Sequence, residues 1–157
     1  MSIINRSQVS AVSPSTSINI RNTDKPFILL LNEGDNLFEG ILDCAEAVNL
    51  QAAIFTGLGA LANITIGYYH LETKQHQSKL FEGVFELVSL TGNITFAEEG
   101  KRFAHIHAAI GDTTCQVFGG HLIDAYAGAS TEISIIPLHS PVHRKYNDAL
   151  DIRVICT

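Results

Sequence analysis

The chain has 157 residues, of which 46% are hydrophobic and 17% charged, enough for one well-buried core and too few for two ordinary domains. No apolar run reaches the roughly 18 residues that a membrane-spanning helix needs, and the N-terminus lacks a basic stretch followed by an apolar core, so a soluble, cytoplasmic protein is expected. A net charge of -6 disfavours attraction to a phosphate backbone, whose affinity draws on Lys and Arg, and Cys44, Cys115 and Cys156 are too dispersed to suggest a disulfide framework or a thiolate zinc site, which leaves buried thiols.

Residues 1–22 are rich in Ser, Thr and Asn and read as a flexible arm with at most a short strand at Ser17 to Arg21, leaving 23–157 as a single domain. Phe27 to Leu31 is a continuous apolar run after Pro26, the pattern of a strand buried on both faces. A helix is predicted from about Asn36 to Asn49: Asp35 is placed to cap its first turn, and Leu37, Phe38, Ile41, Leu42, Ala45 and Val48 form one apolar stripe. Ala52 to Gly57 and Ala62 to His70 read as strands joined by a bend at Gly57-Leu58-Gly59-Ala60. A phosphate-cradling reading of that Gly-x-Gly would need a helix to begin there, whereas Ile64, Ile66 and Tyr68 alternate as a strand does. Leu71 to Lys79 is a polar hairpin tip, with Lys74, His76 and Lys79 in solvent.

Gly83 to Leu90 is the next strand, and Gly92-Asn93 reads as a turn into another. Its one charge, Glu86, either faces solvent or is held inside by a partner. After a charged turn at Glu98 to Lys101, Phe103, His105, His107 and Ala109 share one strand face, while Ala104, Ile106, Ala108 and Ile110 share the other, which is core. Strands Gln116 to Tyr126 and Glu132 to Leu138 follow. His139 to Tyr146 is a loop in which His143, Arg144 and Lys145 are exposed, and a last strand runs from about Ile152 to Cys156. About nine short strands and one clear helix make an α+β domain with a mixed, mainly antiparallel sheet and the helix packed on it.

The chemistry concentrates in His105-Ile106-His107 and Gly119-Gly120-His121. A His-x-His pair in a strand sets two imidazoles on one face, about 6–7 Å apart along the backbone, where both can reach one ion. Three neutral imidazoles leave a coordination position open, which suits Zn²⁺, or another divalent transition metal, holding water or a small molecule. Register decides whether His121 joins them. A four-residue hairpin loop, Gly111 to Thr114, would set His121 against Ala104 on the core face. A five-residue loop, Gly111 to Cys115, or a bulge at Gly119-Gly120, would bring it to the face of His105 and His107, with His105 opposite His121. An odd-length loop or a bulge is therefore predicted.

The run Gly83 to Gly92, His105-Ile106-His107, Gly119-Gly120-His121-Leu122 and Thr131-Glu132-Ile133 resembles the PPC (plant and prokaryote conserved) domain. Thr56 to Ala60 and Gly67-Tyr68-Tyr69 are similar to it as well, so that the likeness extends from about Pro26 to Leu138. The resemblance implies a mixed sheet domain that associates as a homotrimer. It also implies a likeness in fold to α-acetolactate decarboxylase, which holds zinc with a His-x-His pair and a later histidine, the positions matched here by His105, His107 and His121. Three functions follow: a metal-binding protein that takes a small anionic or carbonyl ligand; a metal-dependent lyase or hydrolase of related chemistry; and a DNA-binding or regulatory protein, as the family is often labelled. The second needs groups that polarise or protonate a substrate. Glu86, Arg102 and Glu132 are the candidates, and the sequence does not place them at the metal. The third departs from the family pattern, because no Arg-Gly-Arg-Pro hook occurs.

Overall fold

The structure, a computed structural model, describes residues 2–7 and 24–156. The elements are β1 (Ser2–Asn5), β2 (Phe27–Leu31), α1 (Leu37–Ala47), β3 (Ala52–His70), β4 (Gln75–Phe96), β5 (Arg102–Gly111), β6 (Val117–Leu138), β7 (Arg144–Asn147) and β8 (Ile152–Ile155), with a 3-10 turn at Glu98–Gly100. The main sheet runs β1-β2-β6-β3-β4-β5 and closes on itself through a further β5 to β6 pairing, while β7 and β8 form a separate two-stranded ribbon. Among the described residues every strand ladder is antiparallel except β1 with β2, so the expected mixed, mainly antiparallel α+β fold is the observed one.

Alternation within the strands places the core. Leu29, Leu31, Leu90, Ile94, Ile106, Ile110, Ile133 and Ile135 all point inward and are almost wholly buried, and each such side chain contributes about 1.5–3 kcal/mol by leaving water. Helix α1 covers the β2, β5 and β6 side of the sheet through Leu37, Ile41, Cys44 and Ala45. Its cap is Asn36 rather than Asp35: the Asn36 side-chain Oδ1 accepts from the Glu39 amide at 3.1 Å, while the Asp35 carboxylate accepts from the Asn32 backbone amide at 2.9 Å and pairs with Arg6 at 3.4 Å. β2 is buried through Phe27, Leu29 and Leu31 but only half-buried on its other face. β1, which no periodicity in the first residues announces, joins it as an edge strand, and Arg6 then reaches Asp35, Glu39 and Asp43. The suggested strand at Ser17 to Arg21 lies outside the described residues.

The strands are longer and fewer than the residue pattern suggests. Gly57 to Ala60 is a bulge inside one strand, with register shifts between Gly57 and Gly59 and between Ala62 and Ile64; Gly59 takes φ +127, a conformation that side chains rarely adopt. Gly92-Asn93 is not a turn. Gly92 stays in β4 because the Phe55 ring and the His105 carbonyl pack where its side chain would stand, and Asn93 pairs with His105 on β5. Of the three cysteines, Cys44 is buried and Cys115 exposed; burial, helped by Asp43, pushes the Cys44 thiol up to about 12, which removes it as a nucleophile. No helix among the described residues is long and apolar enough to cross a membrane.

Candidate metal centre

β5 turns Ala104, Ile106, Ala108 and Ile110 into the core, so His105 and His107 stand on the outer face of the sheet. β6 supplies the third ring. The hairpin ends on the pair Gly111 and Val117, leaving a five-residue loop, Asp112 to Gln116, and no bulge interrupts the ladder back to His107 opposite His121. The odd loop length expected for a shared face is therefore present. Its position is shifted by one residue, so that His107 rather than His105 faces His121, a two-residue slip that preserves the face. Asp112 fixes this loop by accepting from the Thr114 hydroxyl at 2.7 Å, the Thr114 amide at 2.8 Å and the Gln116 amide at 3.0 Å, while Cys115 takes φ +63.

His121 also pairs with Gly67 on β3, which places it where β5, β6 and β3 run side by side. The adjacent glycines allow the three strands to approach. A side chain at Gly119 would begin 2.9 Å from the Ala108 carbonyl oxygen, and one at Gly120 would begin 2.8 Å from the Gly67 carbonyl oxygen. Their role is backbone proximity rather than room for a ligand or a bulge.

The three rings form a nearly equilateral triangle, with centroids 5.2 Å apart for His105 and His107, 5.1 Å for His105 and His121, and 5.4 Å for His107 and His121. One nitrogen from each lies within 4.8 Å of the others. A single zinc bonded to all three at about 2.0–2.1 Å would draw these nitrogens closer together. His105 and His121 are half-buried and His107 is exposed. Burial, then the Arg144 guanidinium, then the other two rings hold His105 down to about 4; burial, then His107 and His76, lower His121. Both are neutral at pH 7 and offer lone pairs, the state a metal requires. The donor set, all imidazole and without a carboxylate among the described residues, fits zinc or another borderline divalent ion better than calcium or magnesium.

The low value for His105 has a measurable consequence in the metal-free protein. Between the ordinary 6.5 and about 4 the unfolded chain binds a proton at this residue that the folded chain does not. The residue's contribution to stability is therefore complete above pH 6.5, falls as pH drops through that window, and levels out below about 4. Proton NMR of the metal-free protein is expected to give a His105 midpoint near 4; a midpoint near 6.5 would contradict this environment.

The sequence reading missed Arg144. It treats 139–146 as a loop with an exposed basic stretch, and His143 and Lys145 are indeed exposed, but Arg144 begins β7 and is only 6% exposed. Its Nε donates to Thr95 Oγ1 at 3.1 Å, Nη1 to the Arg153 carbonyl at 3.3 Å and Nη2 to Asn93 Oδ1 at 3.0 Å. Nη2 also lies 3.2 Å from His105 Nδ1. Four residues on a ribbon carry no periodicity that would reveal this. The three candidate catalytic residues stand elsewhere. Glu86 is exposed opposite Gly111, toward the hairpin end of β5. Arg102 donates to the Leu50 carbonyl and to Asn49 Oδ1 at 3.3 and 3.2 Å, fastening the end of the helical segment to the sheet. Glu132 is exposed beside Leu58 and Leu30 in the far half of β6. None of them belongs to the histidine cluster.

Solved structures share this architecture. A metal-containing protein from Archaeoglobus fulgidus is 30% identical with a TM-score of 0.78, over 85% of this chain and 94% of that one. A plant- and prokaryote-conserved (PPC) protein from Pyrococcus horikoshii is 27% identical with a TM-score of 0.75, over 85% and 93%. A Ralstonia eutropha JMP134 protein that carries a provisional DNA-binding label is 27% identical with a TM-score of 0.76, over 83% and 90%. Comparison with curated protein sequences gives no match. The Plants and Prokaryotes Conserved (PCC) domain profile matches residues 19–139, a span that holds β2 to β6 and all three histidines, and the chain belongs to that family.

Proposed function

We propose that this protein holds one divalent metal ion, zinc-like in its preferences, between His105, His107 and His121, and presents the open coordination positions to a small anionic or carbonyl ligand. The observation that carries this reading is the convergence of three imidazole nitrogens to within 4.8 Å on an outer sheet face, two of the rings being held neutral by their surroundings. The metal-containing relative from Archaeoglobus fulgidus supports it. Bound there, the ion would act as a Lewis acid toward a carbonyl or carboxylate oxygen. The protein's own residues would hold the ion, orient its ligand and leave one side open to solvent through the exposed His107 ring.

Ligand binding stands ahead of a lyase or hydrolase activity, because Glu86, Arg102 and Glu132 lie away from the cluster and no carboxylate joins it among the described residues. The test is metal analysis of dialysed protein by mass spectrometry, followed by a screen of 2-oxo and 2-hydroxy acids for binding and turnover. About one ion per chain with saturable binding supports the proposal. Turnover of any of these acids would promote the enzymatic reading, and absence of metal would remove both.

The assembly we propose is a homotrimer in the cytoplasm. Leu58 is 62% exposed, Val84 60%, Val88 50%, Ile54 47% and Ile136 45%, and Ile54 and Ile136 are cross-strand neighbours. Such apolar exposure on a sheet surface favours self-association. Light scattering at micromolar concentration is expected to give three times the chain mass; a monomer mass would end the trimer proposal.

DNA is not the partner this reading expects. The net charge is -6, and neutralisation of phosphates by basic side chains supplies most of the affinity of non-specific complexes. A mobility-shift titration of duplex DNA is expected to show weak or no binding near physiological salt. Tight, sequence-selective binding under those conditions would favour the regulatory role that the label on the Ralstonia eutropha protein suggests.

A further inference from the structure

The donor and acceptor chemistry around His105 goes further than the metal itself. A guanidinium carries only N–H donors, so Arg144 Nη2, 3.2 Å from His105 Nδ1, faces a lone pair, and the neutral ring keeps its proton on Nε2. A neutral imidazole has one lone pair to give. A metal that takes Nδ1 displaces Nη2 from it. A metal that takes Nε2 drives the proton to Nδ1, where it meets a second donor. In both cases the contact between Arg144 and His105 is incompatible with metal bound to His105.

Arg144 does not leave the site when that contact breaks. Nε, Nη1 and one Nη2 hydrogen would stay on Thr95, the Arg153 carbonyl and Asn93, so that a single N–H would be released at a fixed point beside His105. Charge then selects what it meets. A divalent ion, three neutral imidazoles and one guanidinium bring three positive charges together, and among the described residues no acidic side chain pairs with Arg144 or belongs to the histidine cluster. Buried positive charge without a counter-ion is costly, and an anion from solution removes the cost.

Resting on the metal reading above, we propose that Arg144 is the ligand-recognition residue of this site: with metal bound, its released Nη2 N–H donates to an oxyanion ligand of the metal, a small carboxylate. The residue comes from the β7 and β8 ribbon, which lies beyond the stretch 19–139 matched to the family. That ribbon is fastened at its turn by the Tyr69 hydroxyl, which donates to the Leu150 carbonyl at 2.6 Å.

The test uses the full chain loaded with Co²⁺, titrated by its visible absorption with pyruvate and with pyruvamide, which has the same shape and no charge. Metal content is measured alongside in the parent, in Arg144→Gln and in Arg144→Lys. The parent is expected to prefer pyruvate, and Arg144→Gln to keep its metal while losing at least about tenfold in that preference, the scale of one charge-assisted hydrogen bond. Arg144→Lys is expected to fall between them. A metal-loaded parent that does not distinguish the two ligands would overturn the inference without any variant. Equal discrimination by parent and Arg144→Gln would overturn it while leaving the metal site intact, as would loss of metal in Arg144→Gln, which would make the residue a support for His105 alone. A parent without metal would overturn the metal reading and this inference with it.

Discussion

His121→Ala is expected to lower metal content from about one ion per chain to near zero after dialysis, a loss in affinity beyond the 10–100-fold that removing a supporting residue causes. The fold should survive, because the ring lies on the outer face of β6 opposite His107 and contributes nothing to the core beneath it. His105→Ala is expected to abolish binding equally and to cost the metal-free protein more. It deletes the acceptor 3.2 Å from Arg144 Nη2, and an unmet donor on a buried side chain costs about 1–3 kcal/mol. His107→Ala, whose ring is exposed, should change the stability of the metal-free protein least of the three. Metal analysis and thermal melts on the same samples check both parts; parent-like metal content in His121→Ala, or one common melting shift for all three variants, would contradict this division of roles.

Gly120→Val should do greater damage to the protein as a whole. The added Cβ would lie 2.8 Å from the Gly67 carbonyl oxygen and 2.9 Å from Ile66 Cγ2, and backbone cannot rotate aside as a flexible side chain can. β6 would have to move away from β3 immediately beside His121. Overpacking of this kind costs about 1–3 kcal/mol even where side chains share the strain, which for a chain of this size is a fall in Tm of roughly 2–4 °C per kcal/mol. Because His121 is the next residue, metal affinity should fall with stability. A variant that melts and binds metal like the parent would show that the close approach of β3 and β6 is not what these glycines serve.

What the sequence made legible follows from which properties are local. Alternation in β5 separates core from site residue by residue, because strand side chains alternate faces at every step, and the His-x-His spacing then needs only a partner strand of the right parity. The loop from Asp112 to Gln116 supplies that parity. The pairing of His107 rather than His105 with His121 was not readable, since slips of two residues leave every face unchanged. Strand continuity was also hidden: Gly57 to Ala60 and Gly92-Asn93 have turn composition, yet bulges and close packing of Phe55 over Gly92 keep β3 and β4 running through them. Arg144 was missed for a different reason. Its partners, Asn93, Thr95, His105 and Arg153, come from three separate strands, and only the folded chain brings them together. Asn36 displaces Asp35 as the helix cap because Asp35 is already engaged by the Asn32 amide and Arg6.

X-ray absorption at the metal edge of the purified protein measures directly whether one metal ion is held by three imidazoles and no other protein ligand. Three histidine nitrogens at about 2.0–2.1 Å are expected, with the imidazole rings visible in the outer scattering and light oxygen ligands completing the coordination. Sulfur scattering at about 2.3 Å, the signature of a cysteine thiolate, or a first shell of oxygen without imidazole would contradict it.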